Sequence, residues 1–289
     1  MRTLQKNCMK SIKRLFKLYL PFSKAGVKVE LAYKAQIVMW IAISFVEVFF
    51  VVFLYQAIYR NSPDGMASVI NGFTFYDMIL YMLTSFFFSF VMGSGDTSYE
   101  IYTDIREGTI ANTLTKPVSY RLRHLFTYFG VLIFDWLVVV LPFLSVIYAI
   151  FIGTGLLKVT VGRFIVNILL FVVFSILAGF INNAISYFIG LMVFHTDHLF
   201  GLNMARNAIQ GFLGGQMLPL AYMGTLGVVF SFTPFAFMNS APVLVIMGKV
   251  DIMQSLLYIL IALVWIFIIE VANHFIFKRA LEKLAVQGG

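Results

Sequence analysis

The sequence has little cysteine and little charge. Its single cysteine, Cys8, excludes an intrachain disulfide and a metal site built from cysteines. Only 12% of the residues are charged and 61% are hydrophobic, whereas a soluble globular domain has about 25% charged residues, so a soluble enzyme and a disordered protein are excluded. The phosphate-binding motif G-x-x-x-x-G-K-[ST] is absent. The dipeptide Gly248-Lys249 is followed by Val250, where the motif requires Ser or Thr. We therefore expect no site for ATP hydrolysis in this chain.

Long apolar runs take the place of the missing charges. A helix needs about 20 apolar residues to cross the hydrocarbon core of a membrane. Six stretches meet that requirement by length and hydropathy, and together they predict an all-α membrane protein with one six-helix transmembrane domain over residues 35–277. The predicted spans are about 35–58, 76–95, 125–153, 164–194, 207–230 and 255–277.

Two further segments have their own patterns. Residues 1–34 hold nine cations and one acid, with apolar residues at helical spacing, which predicts an amphipathic helix in the headgroup plane, broken or kinked at Pro21. Residues 231–248 are apolar but interrupted by glycine and proline. They predict a short hairpin on the outer side before the last span, either re-entrant or lying on the membrane surface. Residues 278–289 form a basic tail.

The distribution of cations predicts the orientation. The chain has 21 Lys and Arg residues against 13 Asp and Glu. With the N-terminus inside, 17 cations fall in cytoplasmic segments and four in outer loops. This asymmetry favours six spans with both termini in the cytoplasm. The cations are also separated from the aromatic residues, so we expect no nucleic-acid partner.

The polar segment 96–124, between the second and third spans, is the strongest candidate functional site. It combines an acidic amphipathic helix, a helix-ending Gly108, and a second amphipathic piece that stops at Lys116-Pro117. It is either a solvated loop or a cytoplasmic docking surface with apolar contacts for affinity and charges for register. The candidate docking residues are Glu100, Ile101, Asp104, Ile105, Arg106, Glu107, Gly108 and Ile110.

Four polar residues inside the predicted spans are secondary candidates. They are Glu47, Asp135, Asn182 and Glu270. A carboxylate in a membrane is costly, so each acid either lines a cavity, pairs with a cation, or is a neutral packing group. Glu270 is one helical turn from His274, which offers it a partner. Asn182 is followed by Asn183, and such amides more often join helices than bind substrate.

The short pattern His195-Thr196-Asp197-His198 invites a metal interpretation. It supplies two ligands at best, and Asp197 would point elsewhere on a helix, so an ordinary interfacial loop is the better interpretation. No metal and no cofactor is therefore expected in this chain.

The docking segment resembles a known family. Arg106-Glu107-Gly108-Thr109-Ile110, followed by Leu114-Thr115-Lys116-Pro117, resembles the pattern I-x-x-G-x-I/L-x-x-x-L-x-(R/K)-P between the second and third spans of ABC-2 type permeases, above all bacterial exporter permeases with a separately encoded ATPase. The basic N-terminal helix, the six spans and the broken outer hairpin extend the resemblance over nearly the whole chain.

The resemblance implies a function and partners. The segment would be the coupling helix that docks on an ABC ATPase, which would bind ATP and Mg²⁺. Two ATPase copies and a second permease, identical or homologous, would complete an exporter of an amphiphilic or hydrophobic substrate in the bacterial cytoplasmic membrane. Two alternatives remain open: an ion-coupled secondary transporter that uses Glu47 and Asp135, and a non-transporting membrane scaffold. The sequence leaves the cargo and the direction of transport open.

Overall fold

A computed structural model describes residues 2–194, 196 and 198–287, with side chains omitted at 2–14, 34, 114 and 283–287. The described residues form thirteen α-helices, and their only strand-like pairing is a single bridge between Ile70 and Phe73. The helices are α1 (Arg2–Ala32), α2 (Lys34–Arg60), α3 (Phe75–Gly93), α4 (Thr97–Arg106), α5 (Thr109–Leu114), α6 (Tyr120–Asp135), α7 (Leu141–Gly153), α8 (Val161–Met192), α9 (Leu199–Leu213), α10 (Thr225–Phe230), α11 (Pro234–Met238), α12 (Ser240–Ile246) and α13 (Ile252–Gln287).

Within the described part of the chain, five helical segments are long and apolar enough to cross a membrane. They are Ala35–Arg60, Phe75–Arg106, Tyr120–Gly153, Val161–Met192 and Ile252–Glu282. The prediction of a multi-pass, all-helical membrane protein is thus confirmed, and five of the six predicted spans correspond to these segments.

The third of these segments contains a π-helical turn, Trp136–Val140, between α6 and α7. Pro142 follows it in the first turn of α7. Proline has no N–H to donate and its ring clashes with the carbonyl one turn earlier, so a regular α-helix cannot pass this point undisturbed. The wider π turn accommodates the disturbance without ending the span.

The bilayer-facing part of α8 is only its first half. Its exposed large apolar side chains run from Val161 to Ile176, whereas the remainder, up to Met192, packs against α4, α9 and α13. Sixteen residues of helix cover about 24 Å, most of the thickness of a hydrocarbon core. The second half of α8 therefore belongs to a packed layer at one end of the bundle, and that layer contains α4 and α5.

The predicted span 207–230 is not a continuous helix. Helix α9 ends at Leu213, and the chain then takes positive φ at Gly215 and Gly224, with a short 3₁₀ turn at Leu220–Met223 and then α10. Positive φ suits glycine but stops an α-helix. The hydropathy of this stretch is high, but its glycines divide it into pieces too short to span alone.

Segment 231–248 is broken as predicted, into α11 and α12, which meet at Asn239. The Asn239 amide donates to Ser85 Oγ over 2.7 Å, halfway along α3. Further along, Lys249 pairs with Asp77 over 2.8 Å at the start of α3. This stretch therefore passes from the middle of α3 to one of its ends.

Helix α1 is continuous and packs on another helix. It runs through Pro21 and ends at Ala32, so of the predicted break or kink the break does not occur. Ser23 Oγ donates to the Phe126 carbonyl over 2.6 Å, and Ser119 N donates to Tyr19 Oη over 2.7 Å. A Cβ on Gly130 would lie 2.6 Å from Ser23 Cα, so the two helices approach closely.

Candidate functional site

The site is the helical hairpin formed by α4 and α5, at the end of the bundle that holds the second half of α8. Asp96 starts α4 by accepting the Ser98 N–H over 3.0 Å, an N-cap contact. Gly108, with φ +69°, separates α4 from α5. This left-handed conformation is easily adopted by glycine, and it turns the chain back on itself, as the sequence predicted for this position.

The apolar side of the hairpin faces the interior. Ile101 and Ile110 are buried in one cluster with Tyr120, Tyr187 and Leu191. Helix α4 lies so close to α8 that a Cβ on Gly190 would be 2.8 Å from Ile101 Cδ1. The α4–α8 contact is thus tight, and it leaves no room for a larger residue at position 190.

The acidic side of α4 bonds to the first turns of α6. Asp104 accepts from Tyr120 Oη over 3.0 Å and from Arg123 Nη2 over 3.4 Å. Glu100 lies 2.7 Å from Nδ1 of His124, which is fully buried. These contacts join the hairpin to the beginning of the third membrane segment.

A second polar cluster fixes the base of α4 to α9. Asn203 donates to Asp96 Oδ2 over 3.0 Å, and the Asn203 amide and the Ser98 hydroxyl are also within hydrogen-bond distance. Arg206 lies 3.7 Å from Asp96 Oδ1 and donates to Ser186 of α8. Five charged or polar groups therefore satisfy one another where α4, α8 and α9 meet.

A third cluster extends the connections to the last helix. Arg121 of α6 forms an ion pair with Glu270 of α13, and its Nε donates to Glu270 Oε2 over 3.1 Å. The same guanidinium donates to Asn183 Oδ1 over 2.5 Å and lies 4.6 Å from the centre of the Tyr187 ring. Asn183 in turn donates to Thr97 Oγ1 over 2.8 Å. The hairpin is thereby connected to α6, α8 and α13.

The turn between the two helices of the hairpin is exposed on the surface of the chain. Arg106, Glu107 and Gly108 are exposed, and we call these three residues the α4–α5 turn. Arg106 lies 5.4 Å from the centre of the Tyr102 ring, which holds its charge near the surface of α4. A cation and an anion side by side on a supported turn form a surface suited to a charged protein partner.

The structure divides the eight predicted docking residues into two groups. The exposed α4–α5 turn is available to a partner, and Ile105 is half-buried. Ile101 and Ile110 are buried, so we correct their role from partner contact to internal packing. Glu100 and Asp104 are half-buried and bonded within the chain. The amphipathic pattern indicated an apolar face, but that face packs against this chain itself.

The four predicted intramembrane polar residues differ in their surroundings. Glu47 is exposed on the surface of α2. Asp135 is buried, and neither carboxyl oxygen has a hydrogen-bond partner in the described structure. Asn182 donates to the Met92 carbonyl and to Tyr128 Oη, joining three helices as expected of such an amide. Glu270 pairs with Arg121, which corrects the suggested pairing with His274.

Several residues of the site were not identified from the sequence. They are His124, Arg121 and Asn203, which bond to α4 or α13. The sequence did contain one indication of them, because each is a polar residue within or beside an apolar run. Asn183, which the sequence indicated as a helix-joining amide, bonds to Thr97 and Arg121. Among the residues that the structure describes, no group of three or more His, Cys, Asp or Glu side chains forms a metal site. His195 and Asp197 lie outside the described residues.

Together, these helices define a multi-pass membrane protein with an internally braced helical hairpin at one end. A family model for the ABC-2 family transporter protein matches residues 45–288, and the chain belongs to this family. No curated protein and no solved structure matches it. The family match agrees with the resemblance found around Gly108 and includes both the hairpin and all the membrane segments except the first residues of α2.

Proposed function

We propose that this chain is the permease subunit of an exporter and that a partner ABC ATPase drives it through the α4–α5 turn. The observation that carries the proposal is that this turn is exposed while its two helices are bonded to the rest of the bundle. An exposed turn on a mobile loop would yield when pushed, whereas one supported in this way passes the push onward.

The contacts suggest the route of that push. Asp104 and Glu100 of α4 bond to α6, and Ile101 packs on α8. The Arg121–Glu270 ion pair then connects α6 to α13. Closure of the ATPases around ATP would thus move several membrane segments together. ATP and Mg²⁺ belong to the ATPase in this proposal, and this chain contributes no cofactor site.

We propose six crossings with both termini in the cytoplasm. Two contacts support α9 as the start of the fifth crossing: Asn203 bonds to Asp96, and further along Tyr222 Oη lies 3.0 Å from Tyr59 Oη near the opposite end of the bundle. The chain then reaches Asn239 at the middle of α3 and returns to Asp77, which supports a re-entrant hairpin. The cation distribution supports the orientation.

The complete exporter would hold two ATPase subunits and a second permease, identical or homologous, in a bacterial cytoplasmic membrane. A hydrophobic or amphiphilic substrate is consistent with the largely apolar helices, because a bundle with few charged residues offers little to solvate a polar cargo. These assignments follow from the family and from the proposed role of the hairpin.

Co-expression with candidate ABC ATPases, beginning with any that is encoded by a neighbouring gene, tests the proposal. Glu107→Lys and Arg106→Glu each reverse a charge on the α4–α5 turn, and we expect each to reduce co-purification of the ATPase and ATP-dependent export by about tenfold, as for the loss of a well-placed interfacial charge. Asp64→Lys makes the same charge change on an exposed loop at the other end of the bundle and should have no effect. Full coupling in both turn variants would refute the docking role.

One observation favours the ion-coupled alternative: Asp135 is a buried carboxyl without a partner among the described residues. Such a group is a candidate proton carrier. The alternative predicts substrate flux that follows a proton gradient in vesicles without any ATPase, and that is abolished by Asp135→Asn. Flux that requires the ATPase and survives in Asp135→Asn would reject it.

A further inference from the structure

A cavity of about 570 Å³ lies between α1, α6 and α8, away from the α4–α5 hairpin. Its volume is within the range of small-molecule sites. The wall consists almost entirely of apolar side chains, and its two hydroxyl groups, on Ser23 and Ser175, donate to backbone carbonyls of helices. The Trp136 Nε1 has no hydrogen-bond partner among the described residues, but this atom is itself buried. The accessible wall therefore offers contacts to hydrocarbon and no free hydroxyl to a polar ligand.

The cavity opens where the protein meets lipid. Ile133, Leu137 and Ile176 line it and are exposed, and all three belong to membrane-spanning segments. At its other end, Phe16 and Leu20 of α1 line it, one turn apart. The cavity thus runs from the lipid-facing surface of α6 and α8 to beneath the basic helix.

The cavity is held open by rigid contacts. Ser23 and Gly130 touch so closely that a Cβ on Gly130 would lie 2.4 Å from the Ser23 carbonyl oxygen. Tyr19 stacks on Phe126 at 5.3 Å between ring centres. Because α1 is fixed on α6 by these contacts, it cannot shift to fill the space against α8.

The lysines of α1 beside the cavity indicate what kind of molecule binds in it. Lys17, Lys24 and Lys28 are exposed on α1 and are spaced by seven and four residues, so they share one face. Lys17 and Lys24 directly follow Phe16 and Ser23, which places the lysine face about 100° around the helix from the cavity. A molecule with a hydrocarbon chain and an anionic group matches both the apolar cavity and the lysine face, since the chain can lie in the cavity while the anionic group stays at the membrane surface.

We propose that this cavity binds one acyl chain of an anionic phospholipid of the surrounding bilayer, with its headgroup at Lys17 and Lys24. The site does not depend on transport, so its occupancy can be measured without any ATPase. A bound chain would fill the space beneath α1 and stabilise the contact between α1 and the third membrane segment.

Trp136 supplies the probe, because it lines the cavity and the chain has only two other tryptophans, Trp40 and Trp265. A Trp40→Phe, Trp265→Phe protein is placed in phosphatidylcholine vesicles that contain a minor fraction of phosphatidylglycerol, with bromine on the chains of one lipid or the other. We expect phosphatidylglycerol to quench Trp136 at least about fivefold more than its mole fraction predicts, because attraction to either of the two lysines alone gives that enrichment.

Two matched pairs of variants complete the test. Lys17→Gln with Lys24→Gln should remove the preference for phosphatidylglycerol, whereas Lys116→Gln, an exposed lysine on another segment, should retain it. Ile176→Phe should narrow the cavity and lower the quenching, whereas Leu169→Phe, two turns away on the same face of α8 and outside the cavity, should not. Quenching in proportion to mole fraction for both lipids, no quenching by either, or an unaffected Ile176→Phe protein would overturn the proposal.

Discussion

Arg121, in the first turn of α6, forms an ion pair with Glu270, which lies 149 residues later on α13. Their side chains are only 17% and 33% exposed. The contact connects the chain that leaves the α4–α5 hairpin with the last membrane segment. Such a pair joins helices by charge-assisted hydrogen bonds, which are stronger and more directional than apolar contacts.

Replacing Arg121 by methionine should destabilise the protein by about 1–3 kcal/mol, because Glu270 and Asn183 lose their donors in a largely buried site. The double variant Arg121→Met, Glu270→Met should recover part of the loss, since neither charge is then left alone. The measurement is denaturant unfolding in detergent. The control is Asp251→Asn, whose side chain is 92% exposed and 3.9 Å from Arg163; it should change little. Equal stability of all variants would contradict this account.

Gly108 should tolerate asparagine far better than valine. Its φ is +69°, and a Cβ at this position would meet nothing within 4 Å. The cost is therefore conformational, about 1–2 kcal/mol for a residue that resists the left-handed region, whereas asparagine adopts this region more readily. Thermal unfolding of the two variants measures the difference. A Gly108→Val protein as stable as Gly108→Asn would show that the turn is not held in this conformation.

Gly130→Leu should release α1 from α6, because the new side chain would occupy the position of the Ser23 backbone. Trypsin cleaves after lysine where the chain is unfolded or locally opened. If the substitution lowers the free energy of detaching α1 by about 1.4 kcal/mol, cleavage at Lys24 and Lys28 should be about tenfold faster. Gly153→Leu, at the end of α7 with open space around a new Cβ, is the matched control. Unchanged cleavage in the Gly130→Leu protein would contradict the close contact.

Asp135 and Asn182 should respond in opposite ways to leucine. Asp135→Leu removes a buried carboxyl that has no partner in the described structure, and should leave stability unchanged or raise it by about 1–3 kcal/mol. Asn182→Leu removes donors to Met92 and Tyr128 and should lower stability by a similar amount. Parallel unfolding curves measure both. A strongly destabilised Asp135→Leu protein would indicate a partner that this structure does not contain.

Five membrane segments were predictable because hydropathy over about 20 residues depends only on local composition. The same averaging could not show that 207–230 is interrupted, because Gly215 and Gly224 are few among many apolar residues but determine the backbone. Pro21 predicted a break or a kink, and the helix is not broken there. Helix α1 tolerates it, and the contacts of Tyr19 and Ser23 with residues 119 and 126 hold the helix on either side of it.

For the candidate site, the sequence located the hairpin and the turn at Gly108, but not which face of α4 packs inside the protein. Ile101 lies on an apolar face, and this face packs internally because distant residues such as Gly190 and Leu191 of α8 lie against it. The pairing of Arg121 with Glu270 was likewise beyond sequence analysis, since helical spacing reveals partners three or four residues apart and not 149.

The attachment of α1 to α6 has a consequence for biogenesis. Ser23 finds its acceptor at Phe126, 103 residues downstream, so the first two membrane segments and the start of the third must be synthesised before α1 has a docking site. Until then α1 can be stabilised by burial of its apolar face and by attraction of its lysines to lipid headgroups. Its final placement is therefore a late step in assembly, although α1 precedes all five membrane segments in the sequence.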